Sequence, residues 1–133
     1  MIAGPNGAGK TTSAMDLLPD LLHCQEYVNA DTIAAALSPF NPDSTALKAG
    51  RLMLDRIHQL AEQKQDFAFE TTGASKSFAP FLANCKKQGY YVTVLYLWLH
   101  STELALSRVA NRVENGGHDV PAPVVHRRYH RGL

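Results

Sequence analysis

The chain has little of what marks several classes of protein. Its two cysteines, Cys24 and Cys85, match no metal-ligand spacing, which disfavours both a disulfide-stapled scaffold and a cysteine-bound metal. We expect them to be buried thiols in a reducing compartment. The formal net charge of +1 gives no strong attraction to nucleic acid or to a membrane surface. The longest apolar run, Val92–Leu99, is too short to span a bilayer and no signal peptide is visible, so we predict a cytoplasmic protein.

Internal repeats and low-complexity segments are also missing, and 133 residues, of which 45% are hydrophobic, predict a single domain over residues 1–133. Strand-like runs alternate with amphipathic helical runs. The predicted strands are 26–29, 66–71 and 90–99, and the predicted helices are 10–18, 32–37, 44–64, 77–88, 102–114 and 122–129. This alternation predicts an α/β fold with a mostly parallel sheet, in which ligands bind beyond the carboxyl ends of the strands. The Val-, Leu- and Tyr-rich run 90–99 predicts a strand that is buried on both faces.

The most informative feature is a glycine-rich segment near the N-terminus. It fits the phosphate-loop pattern of Gly, four residues, then Gly-Lys-Ser/Thr, and an apolar helical pattern follows it. Glycines let backbone N–H groups approach a phosphate closely, and the helix N-terminus adds its positive dipole end. We expect Lys10 to reach the β- and γ-phosphates and the Thr11 hydroxyl to join a Mg²⁺ shell. The alternative is a plain glycine-rich turn followed by a lysine. The predicted ATP-binding residues are Gly4, Pro5, Asn6, Gly7, Ala8, Gly9, Lys10, Thr11 and Thr12.

Two carboxylates that follow predicted strands are candidates for the acceptor side of a phosphoryl transfer. A carboxylate at Asp31 could accept the proton of an attacking hydroxyl. The alternative is that Asp31 caps a helix that begins at Thr32. Glu70 could hold the Mg²⁺ water shell or bind a substrate hydroxyl, with Thr72 beside it. The alternative for Glu70 is a strand end that meets solvent.

Two arginines of the predicted helix 102–114 are candidates for neutralising phosphate charge. Arg108 and Arg112 are four residues apart and therefore share one helix face. That face either points at the γ-phosphate, where guanidinium groups stabilise the transferring charge, or is solvated.

The segment that follows this helix has the composition of a mobile lid. Two glycines in Gly116–Pro121 provide hinge freedom, and His118 could touch phosphate or substrate, although a helix end followed by a loop explains the glycines equally well. The basic run His126–Arg131, which contains Arg127 and Arg128, is either a phosphate-binding element or a basic chain terminus. Nucleic-acid binding would need a wider basic surface than this run, so no nucleic-acid partner is expected.

Four motifs in order resemble those of the zeta-toxin-like kinases of the P-loop superfamily. They are Ala3–Thr12, Asn29–Asp31, Phe69–Thr72, and Arg112 with Gly116–Pro121. The resemblance covers nearly the whole chain. It implies a P-loop NTPase three-layer sandwich like that of nucleoside monophosphate kinases, with a lid over residues 108–131. It also implies a kinase that uses ATP and Mg²⁺; toxin members phosphorylate a hydroxyl of UDP-N-acetylglucosamine, and a small antitoxin protein blocks them.

The motifs and the resemblance together define a set of candidate site residues. The catalytic candidates are Lys10, Asp31 (the base) and Arg112 (a lid arginine); the substrate-binding candidates are Asp31, Glu70, Thr72 and His118; the metal ligands are Thr11 and Glu70. The second lid arginine of the toxins has no clear counterpart, and either His118 or Arg128 is expected to replace it.

The ends of the chain depart from the pattern. Only three residues precede the glycine-rich segment, whereas such a loop should follow a strand of about five residues. Zeta-toxin-like kinases also continue past the last arginine-rich helix with a further strand. We therefore expect the domain to be truncated at both ends.

The leading hypothesis is a small-molecule kinase that moves the γ-phosphoryl group of ATP to a hydroxyl. One alternative is an NTPase switch. The argument against it is that His100, rather than a carboxylate, follows the run 90–99. Another alternative is a truncated nucleotide-binding protein without kinase activity. The sequence does not identify the acceptor, a partner or the oligomeric state.

Overall fold

A computed structural model describes residues 1–132, and its contacts divide the chain into two compact units. The first unit contains residues 1–14 and 71–132, and the second contains residues 15–70. In chain order the elements are β1 (Ile2–Ala3), α1 (Lys10–Leu17), β2 (Glu26–Val28), α2 (Ala30–Leu37), a 3₁₀ turn (Pro42–Thr45), α3 (Ala46–Glu62), β3 (Phe67–Thr71), α4 (Phe78–Lys87), β4 (Leu95–Tyr96), α5 (Thr102–Glu114) and α6 (Ala122–Gly132). Strands alternate with helices and both strand pairs are parallel, so the predicted α/β class is confirmed.

The first unit is built on β1 and β4, which pair in parallel with Ile2 opposite Leu95 and Ala3 opposite Tyr96. Helices α5 and α6 pack together in this unit and share its buried apolar cluster. The members of the cluster are Ala8, Leu99, Ala105, Val109, Val120, Val125 and Tyr129. The Tyr129 hydroxyl donates to the Leu99 carbonyl at 2.7 Å, which satisfies both buried polar groups and joins α6 to the chain before α5.

Helix α5 has the bounds that the sequence predicts because both of its ends are marked locally. Ser101 is the N-cap, and its hydroxyl accepts from the Leu104 N–H at 3.2 Å. Ala105 and Val109 are four residues apart and buried, so they lie on the face that packs into the cluster. Gly116, with a φ of 82°, follows the last turn.

The second unit pairs β2 with β3 in parallel, with Val28 opposite Phe69. Its long helix α3 buries one stripe of side chains at spacings of three and four residues, as an amphipathic helix should. The stripe consists of Ala49, Met53, Ile57 and Leu60. Leu47, Leu52 and Leu54 are further apolar residues of this helix, but these three are exposed, Leu47 to 84%. Three leucines off the stripe cannot all be covered by one packed face, because a helix presents only part of its circumference to a core.

The strand predicted over residues 90–99 is wrong in length and in burial. Only Leu95–Tyr96 is strand, both residues are exposed, and Trp98 is 60% exposed. Within the described chain β4 pairs with β1 on one side and with no strand on the other. An apolar run is buried on both faces only where layers cover both faces, and here they do not.

Both cysteines are free thiols, as predicted. Cys85 is buried and Cys24 is half-buried, and burial raises the pKa of each thiol. None of the helices in residues 1–132 combines the length and apolar character that crossing a bilayer needs.

Candidate functional site

The glycine-rich segment forms the turn between β1 and α1. Gly4, Gly7 and Gly9 have φ values of 147°, 81° and 82°, in the region that favours glycine. A Cβ atom on Gly7 would lie 2.9 Å from the Ala105 carbonyl oxygen, so the close approach of α5 also requires glycine there. Helix α1 begins at Lys10, directly after the turn. Because the first N–H groups of a helix have no partner within it, the turn and the helix start form a donor-rich cradle for an anion.

Lys10 folds back onto this turn. Its Nζ donates to the Pro5 carbonyl at 3.0 Å, and the residue is only 6% exposed. The same carbonyl accepts from the Ala8 N–H at 3.2 Å. A buried ammonium group requires oxygen partners, so the turn holds the charge of Lys10 where a bound phosphate would meet it.

Two arginines of the C-terminal helices also contact the turn. Arg108 of α5 donates from Nη1 to the Gly7 carbonyl at 3.4 Å, and Arg128 of α6 donates from Nη1 to Asn6 Oδ1 at 3.5 Å. Asn6 is 5% exposed, so its side chain is fixed by packing. Both bonds are at the long end of hydrogen-bond distances, so each guanidinium group lies against the turn without being saturated by it. Three cations of the first unit therefore converge on the cradle.

Arg112, the predicted lid arginine, is held by the segment that follows its own helix. Its Nη2 donates to the His118 carbonyl at 2.6 Å, and its Nε is buried with no hydrogen-bond partner among residues 1–132. The Gly117 N–H donates to the Arg112 carbonyl at 2.8 Å, which closes the turn around the side chain. The structure thus joins Arg112 and His118 to each other, and Arg108 and Arg128 to the glycine-rich turn.

The second unit contains a polar cluster around Glu70. Glu70 lies in β3, and its Oε2 accepts from the Tyr27 hydroxyl at 2.5 Å and from Asn29 Nδ2 at 3.1 Å. Asn29 Nδ2 also donates to the Tyr27 oxygen at 3.3 Å. Parallel pairing of β2 with β3 brings these residues together from positions more than 40 apart in the chain. Glu70 is therefore anchored by two donors, although its side chain is also partly exposed to solvent.

Asp31 lies in the first turn of α2, and the expectation that it caps this helix is wrong. The N-cap is Asn29, whose Oδ1 accepts from the Asp31 N–H at 2.8 Å, and the helix begins at Ala30. The Asp31 side chain is exposed. Since Asn29 already provides the cap, the Asp31 carboxylate is available for chemistry, and it benefits from the helix dipole.

Comparison with known proteins agrees with this picture of the loop. The sequence profile of AAA_33, described as an AAA domain, matches residues 1–130. The chain belongs to the AAA_33 family. This family is of the P-loop NTPase type, so the chain is a P-loop nucleotide-binding domain. The narrower resemblance to zeta-toxin-like kinases stays a prediction.

Two individual proteins resemble the AAA_33 domain over most of its length. An uncharacterized protein of Haemophilus influenzae (strain ATCC 51907 / DSM 11121 / KW20 / Rd) is 31% identical over 126 residues, which are 95% of this chain and 88% of that protein. A chain in the structure of the Pnkp1/Rnl/Hen1 RNA repair complex has a TM-score of 0.70 at 16% identity, covering 98% of this chain and 42% of that chain. The AAA_33 domain thus spans less than half of this structural relative, and the likeness shows the fold alone.

The remaining predicted site residues occupy positions consistent with a magnesium nucleotide. Thr11 is exposed in the first turn of α1, and Thr72 is half-buried just after β3. Within the described residues no three or more His, Cys, Asp or Glu side chains form a ready-made metal cluster. Mg²⁺ on a phosphate loop is held mainly by one hydroxyl, water and the phosphates, so the residues present fit this ion without such a cluster.

Tyr27 is the site candidate that the sequence did not single out. The one available signal was its position two residues before Asn29, because alternate residues of a strand point to the same face. Arg128 was predicted either as part of a phosphate-binding basic run or as a replacement for a missing arginine, and its contact with Asn6 depends on how α6 folds back.

Proposed function

We propose that this AAA_33 domain is an ATP- and Mg²⁺-dependent phosphotransferase that moves the γ-phosphoryl group of ATP to a hydroxyl of a small molecule. The observation that carries the proposal is the convergence of Lys10, Arg108 and Arg128 on a turn rich in main-chain N–H donors. Such preorganised positive charge suits a triphosphate, because phosphoryl transfer depends mainly on positioning and charge stabilisation.

The residues of the first unit would hold the donor. Lys10 would bind the β- and γ-phosphate oxygens, and the Thr11 hydroxyl would help to hold Mg²⁺, which would offset phosphate charge when bound. Arg128 is the better replacement for the second lid arginine, because its guanidinium group donates to Asn6 of the turn. Arg112 keeps its proposed role as a lid residue that stabilises the transferring charge, together with His118 near the substrate.

The residues of the second unit would hold the acceptor. Asp31 accepts the proton of the attacking hydroxyl, and Glu70 accepts a hydrogen bond from the acceptor or orders the water shell of Mg²⁺. Tyr27 and Asn29 keep the Glu70 carboxylate in place. Thr72 belongs to the first unit, and the resemblance implies that its hydroxyl is near the substrate.

Three finer assignments are part of the proposal and rest on the resemblance or on charge. UDP-N-acetylglucosamine is the acceptor that the resemblance implies, a small antitoxin is the implied protein partner, and the near-neutral chain is proposed not to bind nucleic acid. We also propose a cytoplasmic location.

The test is a phosphoryl-transfer assay with radiolabelled ATP and Mg²⁺. The acceptors are nucleosides, sugars, aminoglycosides, nucleotide sugars and an oligonucleotide with a free 5′-hydroxyl. Asp31→Asn should lower transfer by about 10²- to 10⁴-fold, the usual contribution of a general base, without weakening ATP binding. Lys10→Ala should lower both transfer and ATP binding. The matched controls are Asp55→Asn and Lys76→Ala, which change exposed residues outside both clusters.

Each part of the proposal has an outcome that contradicts it. Hydrolysis of ATP at the same rate with and without every acceptor would replace the kinase by an NTPase. Transfer that is unchanged in Asp31→Asn would remove the assignment of the base. Transfer to the oligonucleotide alone would replace the small-molecule acceptor by a nucleic-acid end.

A further inference from the structure

A cleft of about 340 Å³ lies within the second unit, between β2, α2 and α3. Its apolar wall is formed by Met15, Val28 and Ile33, and Thr32 adds a hydroxyl at its edge. Ligand pockets usually occupy about 300–1,000 Å³, so this cleft is sized for a single ring system with a few substituents.

The cleft is continuous with the polar cluster around Glu70. Tyr27 and Asn29 line the cleft, and the same two side chains donate to Glu70 Oε2. Asn29 also caps the first turn of α2, in which Asp31 precedes Thr32. A ring held in the cleft would therefore have its substituents beside the two carboxylates that the proposed function assigns to the acceptor.

Charge within this unit disfavours a phosphorylated ligand in the cleft. The one arginine of the lining, Arg56, donates from Nη2 to Glu26 at 2.8 Å and from Nη1 to Gln59 at 2.9 Å. An anion would have to compete with Glu26 for this arginine while meeting the charges of Asp31 and Glu70 nearby. An apolar wall with a neutralised ion pair suits a molecule without phosphate.

We propose that this cleft binds the body of the acceptor, and that the acceptor is a phosphate-free ring alcohol whose apolar face lies against Met15, Val28 and Ile33. The inference rests on the proposed phosphotransfer, and it replaces UDP-N-acetylglucosamine, the acceptor that the resemblance implies, because it selects free nucleosides, sugars or aryl alcohols over nucleotide sugars. The assignment makes Thr32 and Ile33 determinants of acceptor specificity.

The test measures binding rather than turnover. A panel of phosphate-free ring alcohols (uridine, N-acetylglucosamine and phenylethanol) and phosphorylated counterparts (UMP, N-acetylglucosamine 6-phosphate and UDP-N-acetylglucosamine) is titrated by NMR. A non-hydrolysable ATP analogue with Mg²⁺ saturates the phosphate loop throughout. The variants are Thr32→Trp, which fills the cleft from an exposed position, and Ala35→Trp, an exposed position of α2 outside the cleft.

We expect at least one phosphate-free alcohol to bind, and its Kd to rise at least about tenfold in Thr32→Trp while changing less than about twofold in Ala35→Trp. Its phosphorylated counterpart should bind more weakly, and Glu26→Gln, which releases Arg56, should narrow that difference. The inference is overturned if no phosphate-free member binds, if Thr32→Trp leaves Kd unchanged, or if the phosphorylated counterpart binds more tightly to the unaltered protein. If the alcohol binds as expected but no phosphoryl group is transferred to it, the proposed binding cleft is supported and the proposed kinase activity is refuted.

Discussion

Replacement of Asn29 tests whether one side chain supports both the helix that carries Asp31 and the carboxylate of Glu70. Asn29 is buried; its Oδ1 accepts from the Asp31 N–H at 2.8 Å and its Nδ2 donates to Glu70 at 3.1 Å. Loss of an N-cap costs about 1 kcal/mol, and loss of a hydrogen bond to a charged group costs about 1.5–3 kcal/mol. Glu70 is half-exposed, which places the second value at its lower end. We expect Asn29→Ala to lower the free energy of unfolding by about 2–3 kcal/mol.

Two further variants separate the contributions. Asn29→Ser keeps a capping oxygen but removes the donor to Glu70, so its free energy of unfolding should be lower by about 1–2 kcal/mol. Asn29→Asp also keeps the cap but places a second carboxylate beside Glu70, so it should be less stable than Asn29→Ser at about pH 8.

The measurement is urea denaturation followed by circular dichroism, with Asn84→Ala, an exposed helical position, as the control expected within about 0.5 kcal/mol of the unaltered protein. Equal losses in Asn29→Ala and Asn29→Ser would refute the cap. Equal stability of Asn29→Asp and Asn29→Ser at about pH 8 would refute the contact with Glu70.

Three other predictions concern the first unit and the thiols. Gly7→Ala and Gly9→Ala both place alanine where the backbone has a φ near +80°, but only a Cβ atom on Gly7 would contact α5. Both variants should lower the free energy of unfolding, measured with urea, by about 1 kcal/mol, and Gly7→Ala should lower it by about 1–3 kcal/mol more. Equal decreases in the two variants would contradict the close approach of α5 to Gly7. Cys24 should react with a thiol-specific disulfide reagent slowly and Cys85 only on unfolding, because burial raises both pKa values and Cys85 is the less accessible; equal rates would exclude this order. The pKa of Glu103 is lowered by hydrogen bonds from its own backbone N–H and from the Ser101 hydroxyl. The ionised Glu103 side chain therefore stabilises the fold above its unfolded pKa of about 4, and this stabilisation is lost as the pH falls through the folded pKa. Glu103→Gln should therefore be less stable than the unaltered protein at neutral pH and equally stable in strong acid, as pH-dependent thermal melts would show.

Local signals predicted the elements whose causes are local. The phosphate-loop pattern places its glycines where positive φ is required, and its lysine at the first residue of α1. Helix α5 was predicted to the residue, since Ser101 and Gly116 mark its ends within one turn. The short strands β2 and β3 were predicted within a residue or two for the same reason.

Elements that depend on distant neighbours were predicted less well. The apolar run 90–99 carries the composition of a buried strand, yet burial depends on which layers cover it, and Trp98 remains exposed. Asp31 is a residue type that is favoured at helix N-caps, but Asn29 is the N-cap of α2. The Asn29 side chain also donates to Glu70, a contact that depends on strand pairing.

The amino-acid sequence by itself determined the phosphate cradle, because consecutive residues form it from glycines with positive φ and from the first N–H groups of α1. Only the tertiary structure decided which cations reach the cradle and which donors hold the carboxylate. Arg128 meets Asn6 across 122 positions and Tyr27 meets Glu70 across 43, and no local pattern records a contact made by helix packing or strand pairing at such separations.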